Sequence, residues 1–201
     1  MKDHPGIEAA LEITEAGLDQ LADNQFLADI PVVGVAFKVC KVYSGIRERI
    51  YISKLTGFLT RLDSIPQEQQ HAMISEVLAD ANERQKVGER LLMVLEQLTD
   101  QDKPAIMAVF FIAYLRRMID LPILLRCWDA IETAYGGDLK ILLGVAGEPA
   151  FGGGNSHLEY LVRSGLTTPK KSKLIGDDKI EYYVSDFGNL FINVYHEANA
   201  A

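Results

Sequence analysis

The sequence predicts a mainly α fold, a multi-helix bundle closed by a small C-terminal winged-helix-like α/β unit. Three observations predict it. The first is the stretch PAIMAVFFIAYLRRM at residues 104–118, which carries Ile106, Met107, Val109, Phe110, Phe111, Ile112, Tyr114 and Leu115 before its first charge at Arg116. A helix that is apolar on nearly every face is wrapped by other helices. The second is the recurrence of apolar residues at three- and four-residue spacing through most of the first 143 positions. The third is a composition shift. GVAGEPAFGGG at 144–154 holds five of the sixteen glycines, and a helix–hairpin–helix pattern follows it. The expected organisation is therefore a helical bundle at 1–143, a glycine-rich linker at 144–154 and a winged-helix-like unit at 155–201.

The totals agree with that scheme. A chain of 201 residues makes one domain, or one with a small appendage. A hydrophobic content of 48% and a charged content of 24% are those of a globular protein. The net charge of −8 gives an overall field that does not attract nucleic acid or anionic lipid. The two cysteines, Cys40 and Cys127, lie in apolar helical surroundings and read as buried thiols of a reducing compartment. The opening MKDHPGIEAALEITEAGLDQ lacks the basic-then-apolar run of an export signal, and a cytoplasmic location is expected.

In chain order, Ile7, Leu11, Leu18 and Leu21 form the stripe of a first amphipathic helix with an acidic outer face. From Asp29-Ile30-Pro31, an apolar run reaches Tyr43, broken by Lys38 and Lys41. Its β-branched content makes a strand the competing local reading. Helix is preferred, because no turn signal or partner strand follows. Ile46, Ile50, Leu55, Phe58, Leu59 and Leu62 continue a helical stripe up to the break at Asp63-Ser64-Ile65-Pro66. Met73, Ile74, Val77 and Leu78 mark the next helix, and Asp80-Ala81-Asn82 ends it and caps its successor. That successor carries Val87, Leu91, Leu92, Val94, Leu95 and Leu98.

The central helix has expected ends. Asp102 can cap it, Pro104 suits the first turn, and Arg116 and Arg117 suit the last. Its apolar run of about ten to twelve residues is short of the roughly 20 that a membrane span needs. Asp120 and Pro122 open another helix through Ile123, Leu124, Cys127, Trp128, Ile131 and Tyr135. Gly136-Gly137 ends or kinks it, and Asp138 opens a short turn through Leu142. Past the glycines, Asn155 or Ser156 caps HLEYLVRS. Strands are expected at 166–169 and 173–184, where Ile180, Tyr182 and Val184 alternate. Ser185 or Asp186 caps a closing helix with Leu190, Phe191, Val194 and Tyr195.

Few residues form patterns that carry chemistry. FGGGNS precedes a helix but lacks the Lys-Ser/Thr of a P-loop and the spacing of a dinucleotide fingerprint, so it reads as linker. His4, His71, His157 and His196 stand apart from one another and from the cysteines, so no metal site is expected. No nucleophile motif such as GxSxG occurs, and neither a catalytic residue nor a cofactor is assigned.

Two sets of cations remain as binding candidates. Arg84, Arg90, Arg116 and Arg117 can line a polar groove for a protein partner, against the plainer reading of mixed charges on solvated helix faces. Arg163, Lys170, Lys171, Lys173 and Lys179 are what a winged helix would bring to DNA. Residues 155–201 hold five Lys/Arg against six Asp/Glu, and duplex affinity leans on phosphate neutralisation, so DNA binding is disfavoured. The segment 30–43 is the candidate for membrane work, but it is short and carries two lysines.

The segments DKPAIMAVFFIAYL, LLRCWDAIETAYGGDLKIL, HLEYLVRSGL and EYYVSDFGNLFI together resemble an uncharacterised bacterial helical family. The tail also resembles the end of the abortive-infection alpha family, where a leucine-rich helix ending in Gly-Leu precedes a strand and a closing helix with Phe-Gly. Leu158, Leu161, Gly165, Leu166, Tyr183, Phe187, Gly188 and Phe191 match. The likeness spans about residues 104–197 and rests on packing positions. It implies a bacterial cytoplasmic protein linked to phage defence, and it supplies no catalytic residues.

The resulting expectation is a non-enzymatic interaction protein, an accessory or sensor in phage defence, with a protein partner or a second copy of itself. The alternatives are a winged-helix DNA-binding regulator and a membrane-active helical effector.

Overall fold

The computed structural model describes residues 46–62, 65, 72–73, 76–77, 79–145, 156–171 and 180–200. The expected first helix, the 30–43 segment with Cys40, most of the glycine-rich stretch and Lys173 and Lys179 lie outside the described residues. Among the described residues, seven helices and one hairpin follow in order: α1 (Ile46–Leu62), α2 (Ala81–Gln97), α3 (Lys103–Leu115), α4 (Leu121–Thr133), α5 (Gly136–Leu142), α6 (Ser156–Tyr160), β1 (Thr167–Lys171), β2 (Ile180–Val184) and α7 (Asp186–Ala200). The fold is mostly helical, as the apolar spacing predicts.

α3 is the centre of the bundle. Every residue of it except Ala105 is buried, because α1, α4 and α7 all pack against it. α2 packs across α1 and α4. The aromatic residues of α3 reach each neighbour: Phe111 meets Phe58 of α1 and Trp128 of α4, and Phe110 meets Phe191 and Tyr195 of α7. Trp128 is fully buried, and its indole N–H donates to the Met107 carbonyl oxygen at 3.2 Å, so its polar atom is satisfied inside the core.

The C-terminal elements join this same core. Leu161, Leu166, Phe187, Phe191, Val194, Tyr195 and Ala198 belong to one continuous cluster with the residues of α1 to α4. β1 and β2 pair antiparallel, with Thr167 opposite Val184 and Pro169 opposite Tyr182. Ser185 decides how α7 starts. Its N–H donates to the Leu166 oxygen at 2.9 Å, its hydroxyl donates to the Gly165 oxygen at 2.6 Å, and that hydroxyl accepts the Gly188 N–H at 2.9 Å. Of the two residues expected to cap this helix, Ser185 makes the bond.

Helix ends follow the sequence with some corrections. Asp80 accepts from the Asn82 and Glu83 N–H groups at 2.7 and 3.0 Å and caps α2. Asp120 accepts from Ile123 at 3.0 Å and caps α4. Asp102, expected to cap α3, makes no such bond. Its own backbone is helical, its N–H donates to Asp100 Oδ1 at 2.9 Å, and its carboxylate turns to Lys140 instead. Arg116 and Arg117 lie just past the last turn of α3, not within it. Arg117 takes a left-handed φ of 58°, which reverses the chain towards α4. Gly136 neither ends nor kinks α4. It begins α5, at a place where any Cβ would run into the Asp100 carboxylate.

Candidate functional site

The turn from α3 into α4 borders a cavity of about 540 Å³. Arg117, one of the four arginines expected to line a polar groove, lines it together with Glu83. Its apolar side is built from Val77, Met118 and Leu190, and its polar side adds Glu76 and Asp120. Among the described residues the balance is three carboxylates to one guanidinium. Arg117 pairs with Glu76 at 3.5 Å, and with both side chains largely exposed this pair contributes about 1 kcal/mol or less. The Tyr114 hydroxyl donates to Glu83 Oε1 at 2.6 Å at the back of the cavity. Burial, and then this bond to a carboxylate, push the phenol well above the ordinary tyrosine range.

The other three arginines of the expected groove are not gathered there. Arg90 of α2 pairs with Asp129 and, at 3.5 Å, with Glu132, both on α4. Arg116 donates to the Ala198 carbonyl oxygen at 3.0 Å, near the end of α7, where a cation suits the helix dipole. Arg84 is half-buried on α2. Arg90 and Arg116 thus tie helices together, and of the four residues only Arg117 lines this cavity.

A second cavity, of about 510 Å³, escaped the sequence reading. It lies where the start of α3, the end of α4 and the start of α5 meet, and Asp100, Lys103, Glu132 and Tyr135 are on its wall. Lys103 is only 3% exposed, and its Nζ donates to the Glu132 carbonyl oxygen at 3.1 Å. Lys54 is held in a similar way: it is 5% exposed and donates to the Glu96 carbonyl oxygen at 3.3 Å. Each lysine therefore places its cation at the C-terminal end of a neighbouring helix. Burial lowers the proton affinity of both amines. The carboxylates of Asp100 and Glu132 oppose the effect at Lys103, and Glu96 opposes it at Lys54. The signal available in the sequence was Lys103 itself, a cation in the first turn of a helix, where the dipole disfavours one.

On the hairpin side, Arg163, Lys170 and Lys171 are exposed. Lys170 stands over the Tyr183 ring at 5.2 Å, and Glu159, Glu181 and Asp186 are exposed on the adjoining elements. Cys127 is a buried free thiol whose surroundings push it up to about 12, which makes it a poor nucleophile. Among the described residues, no cluster of His, Cys, Asp and Glu is arranged to hold a metal ion, and no helix is long and apolar enough to cross a membrane. Comparison of the chain with protein-family models, with curated proteins and with solved structures finds no match.

Proposed function

We propose that the protein is a non-enzymatic interaction module that receives a basic, amphipathic segment of a protein partner in the Arg117 cavity. The observation that carries this reading is the pairing of an apolar side, Val77, Met118 and Leu190, with a border of three carboxylates and one cation. Such a groove suits a helix or turn that offers one or two cations beside its apolar anchors. The net charge of −8 adds an attraction of the same sign over longer range. The left-handed backbone of Arg117 supports the reading, because strain in a non-glycine residue collects at binding sites. The resemblance of the tail would put this interaction in phage defence, with the protein as an accessory or sensor.

We read α6, the β1–β2 hairpin and α7 as a winged-helix-like unit used for packing. α6 packs on α5 and on both strands, and the hairpin leads directly into α7, which is anchored on α3. The DNA-binding alternative has Arg163, Lys170 and Lys171 in its favour. Glu159, Glu181 and Asp186 on the same elements reduce the net positive charge that a phosphate backbone requires.

The test uses a fluorescent amphipathic helical peptide in two versions, one with lysines and one with glutamates on its polar face. Anisotropy should show saturable binding of the lysine version alone. Leu190→Asp should remove that binding, since Leu190 is a partly exposed wall of the cavity and its replacement leaves the core intact. Equal binding of both peptides, or no effect of Leu190→Asp, sinks the assignment.

A further inference from the structure

Lys103 combines two properties seldom found together on a lysine. It is almost wholly buried, and it lines an open cavity of about 510 Å³. The groups that face it are the Asp100 carboxylate from the α2–α3 connection and Glu132 of α4. The ion pair of Lys140 with Asp102 stands beside them. One hydrogen of Nζ is engaged by the Glu132 carbonyl oxygen. Burial shifts the amine towards its neutral form, which carries the lone pair of a nucleophile. Lys54 is buried in the same manner but does not line this cavity.

The wall chemistry selects the kind of molecule that fits. Asp100 and Glu132 repel anions, and the Thr99, Thr133 and Tyr135 side chains supply neutral hydroxyl groups. We propose that this cavity binds a small uncharged hydroxyaldehyde and holds it as an imine on Lys103.

The step balances without an oxidant or a reductant. The Nζ lone pair attacks the aldehyde carbon, the C=O π bond opens as the C–N bond forms, and one proton passes from the nitrogen to the oxygen. The resulting carbinolamine loses its hydroxyl, which leaves as water with the second proton of the nitrogen. Amine and aldehyde thus become imine and water. The carboxylates of Asp100 and Glu132 line the same cavity and can accept and return the proton. This site is separate from the Arg117 cavity, so either assignment can fail without the other.

The experiment labels the intact, folded chain with glycolaldehyde and cyanoborohydride at pH 7 and follows each lysine by peptide mass spectrometry. Lys86, exposed on α2, is the internal reference. Lys103 should be labelled faster than Lys86, because burial shifts its amine towards the neutral, nucleophilic form. The preference should vanish in urea. Parallel reactions use propionaldehyde, which lacks the hydroxyl, and glyoxylate, which carries a negative charge. Relative to Lys86, Lys103 should favour glycolaldehyde over both. Labelling of Lys103 no faster than Lys86 overturns the proposal. So does a Lys103-to-Lys86 ratio that is the same for all three aldehydes or highest for glyoxylate.

Discussion

The rings of Phe110 and Phe191 lie with centroids 4.3 Å apart and planes inclined by 35°, and both side chains are fully buried. This contact joins the central helix to the closing helix, across the glycine-rich stretch that separates them in sequence. Phe191→Ala removes a large side chain from a site with little room to collapse, and it should cost about 3–5 kcal/mol. Urea unfolding followed by tryptophan fluorescence reports the bundle, because Trp128 of α4 packs against Phe111 of α3 and not against α7's Phe191. A single transition at much lower urea is expected. An unchanged Trp128 transition would mean that α7 unfolds by itself.

Two glycines give opposite expectations for the same substitution. At Gly188 a Cβ would collide with the Leu166 carbonyl oxygen, which the Ser185 N–H holds in place. Gly188→Ala should therefore prise the hairpin from α7 and cost several kcal/mol, on the order of an overpacked core site or more. At Gly57, inside α1, a Cβ would meet only the Pro104 Cβ, at 3.9 Å. Gly57→Ala should stabilise by about 0.5–1 kcal/mol, the helix-interior cost of glycine. Melting temperatures that move in opposite directions confirm the pair.

How much could be read from the sequence depended on the range of the physics involved. α3 was legible because an unbroken apolar run leaves a helix no choice but to be enclosed. Asp80 and Asp120 were legible because capping acts over three residues. Asp102 was misread for the same local reason. It has the residue type of a cap, yet Asp100 and Lys140 compete for its N–H and its carboxylate, and Lys140 is distant in sequence. The Arg117 cavity was half-legible. Arg117 was among the four arginines singled out, but which of them would serve as helix ties depended on Asp129, Glu132 and Ala198, which no spacing rule connects to them. The Lys103 cavity needed three helix ends to meet, an arrangement with no local pattern.

Arg90→Ala tests whether that residue serves the fold or a partner. It removes both ties from α2 to α4, and since the pairs are partly exposed the cost should be about 0.5–1 kcal/mol. The loss should shrink in high salt, where the wild-type pairs are themselves screened. Binding of the lysine peptide should not change. A peptide affinity that falls while stability holds would return Arg90 to the binding surface.

The pH dependence of stability should carry two opposing signs. Tyr114 is raised above its ordinary value of about 10, so below that pH both states keep the phenol proton. Above it the unfolded chain ionises first, and stability falls as pH rises. Tyr195, raised by burial, acts in the same direction. Lys103 and Lys54 are lowered from an ordinary value of about 10.4. Between the lowered value and the ordinary one the unfolded chain holds the extra proton, so stability rises with pH there, by at most about 1.4 kcal/mol per unit for each group. Urea titrations across alkaline pH should show Tyr114→Phe with a weaker decline above pH 10. Lys103→Met should show a flatter rise below it. A wild-type profile that Lys103→Met leaves unaltered would place that amine in a water-like environment.

Arg117→Gly separates the stability of the turn from the chemistry of the cavity. Arginine at a φ of 58° is held in a region that costs an L-residue roughly 1–2 kcal/mol, while glycine adopts it freely. Against this gain stand the Glu76 pair, about 1 kcal/mol or less, and the greater chain entropy of an unfolded glycine. The variant should therefore fold with near wild-type or slightly higher stability. The cavity responds differently, because removing its one guanidinium leaves Glu76, Glu83 and Asp120 unopposed. The lysine peptide should then bind more tightly, and Glu83→Gln in the same background should reverse part of that gain. Weaker binding of the lysine peptide by Arg117→Gly at unchanged stability would show that the guanidinium contacts the peptide directly and that the carboxylate excess of the cavity does not set the affinity.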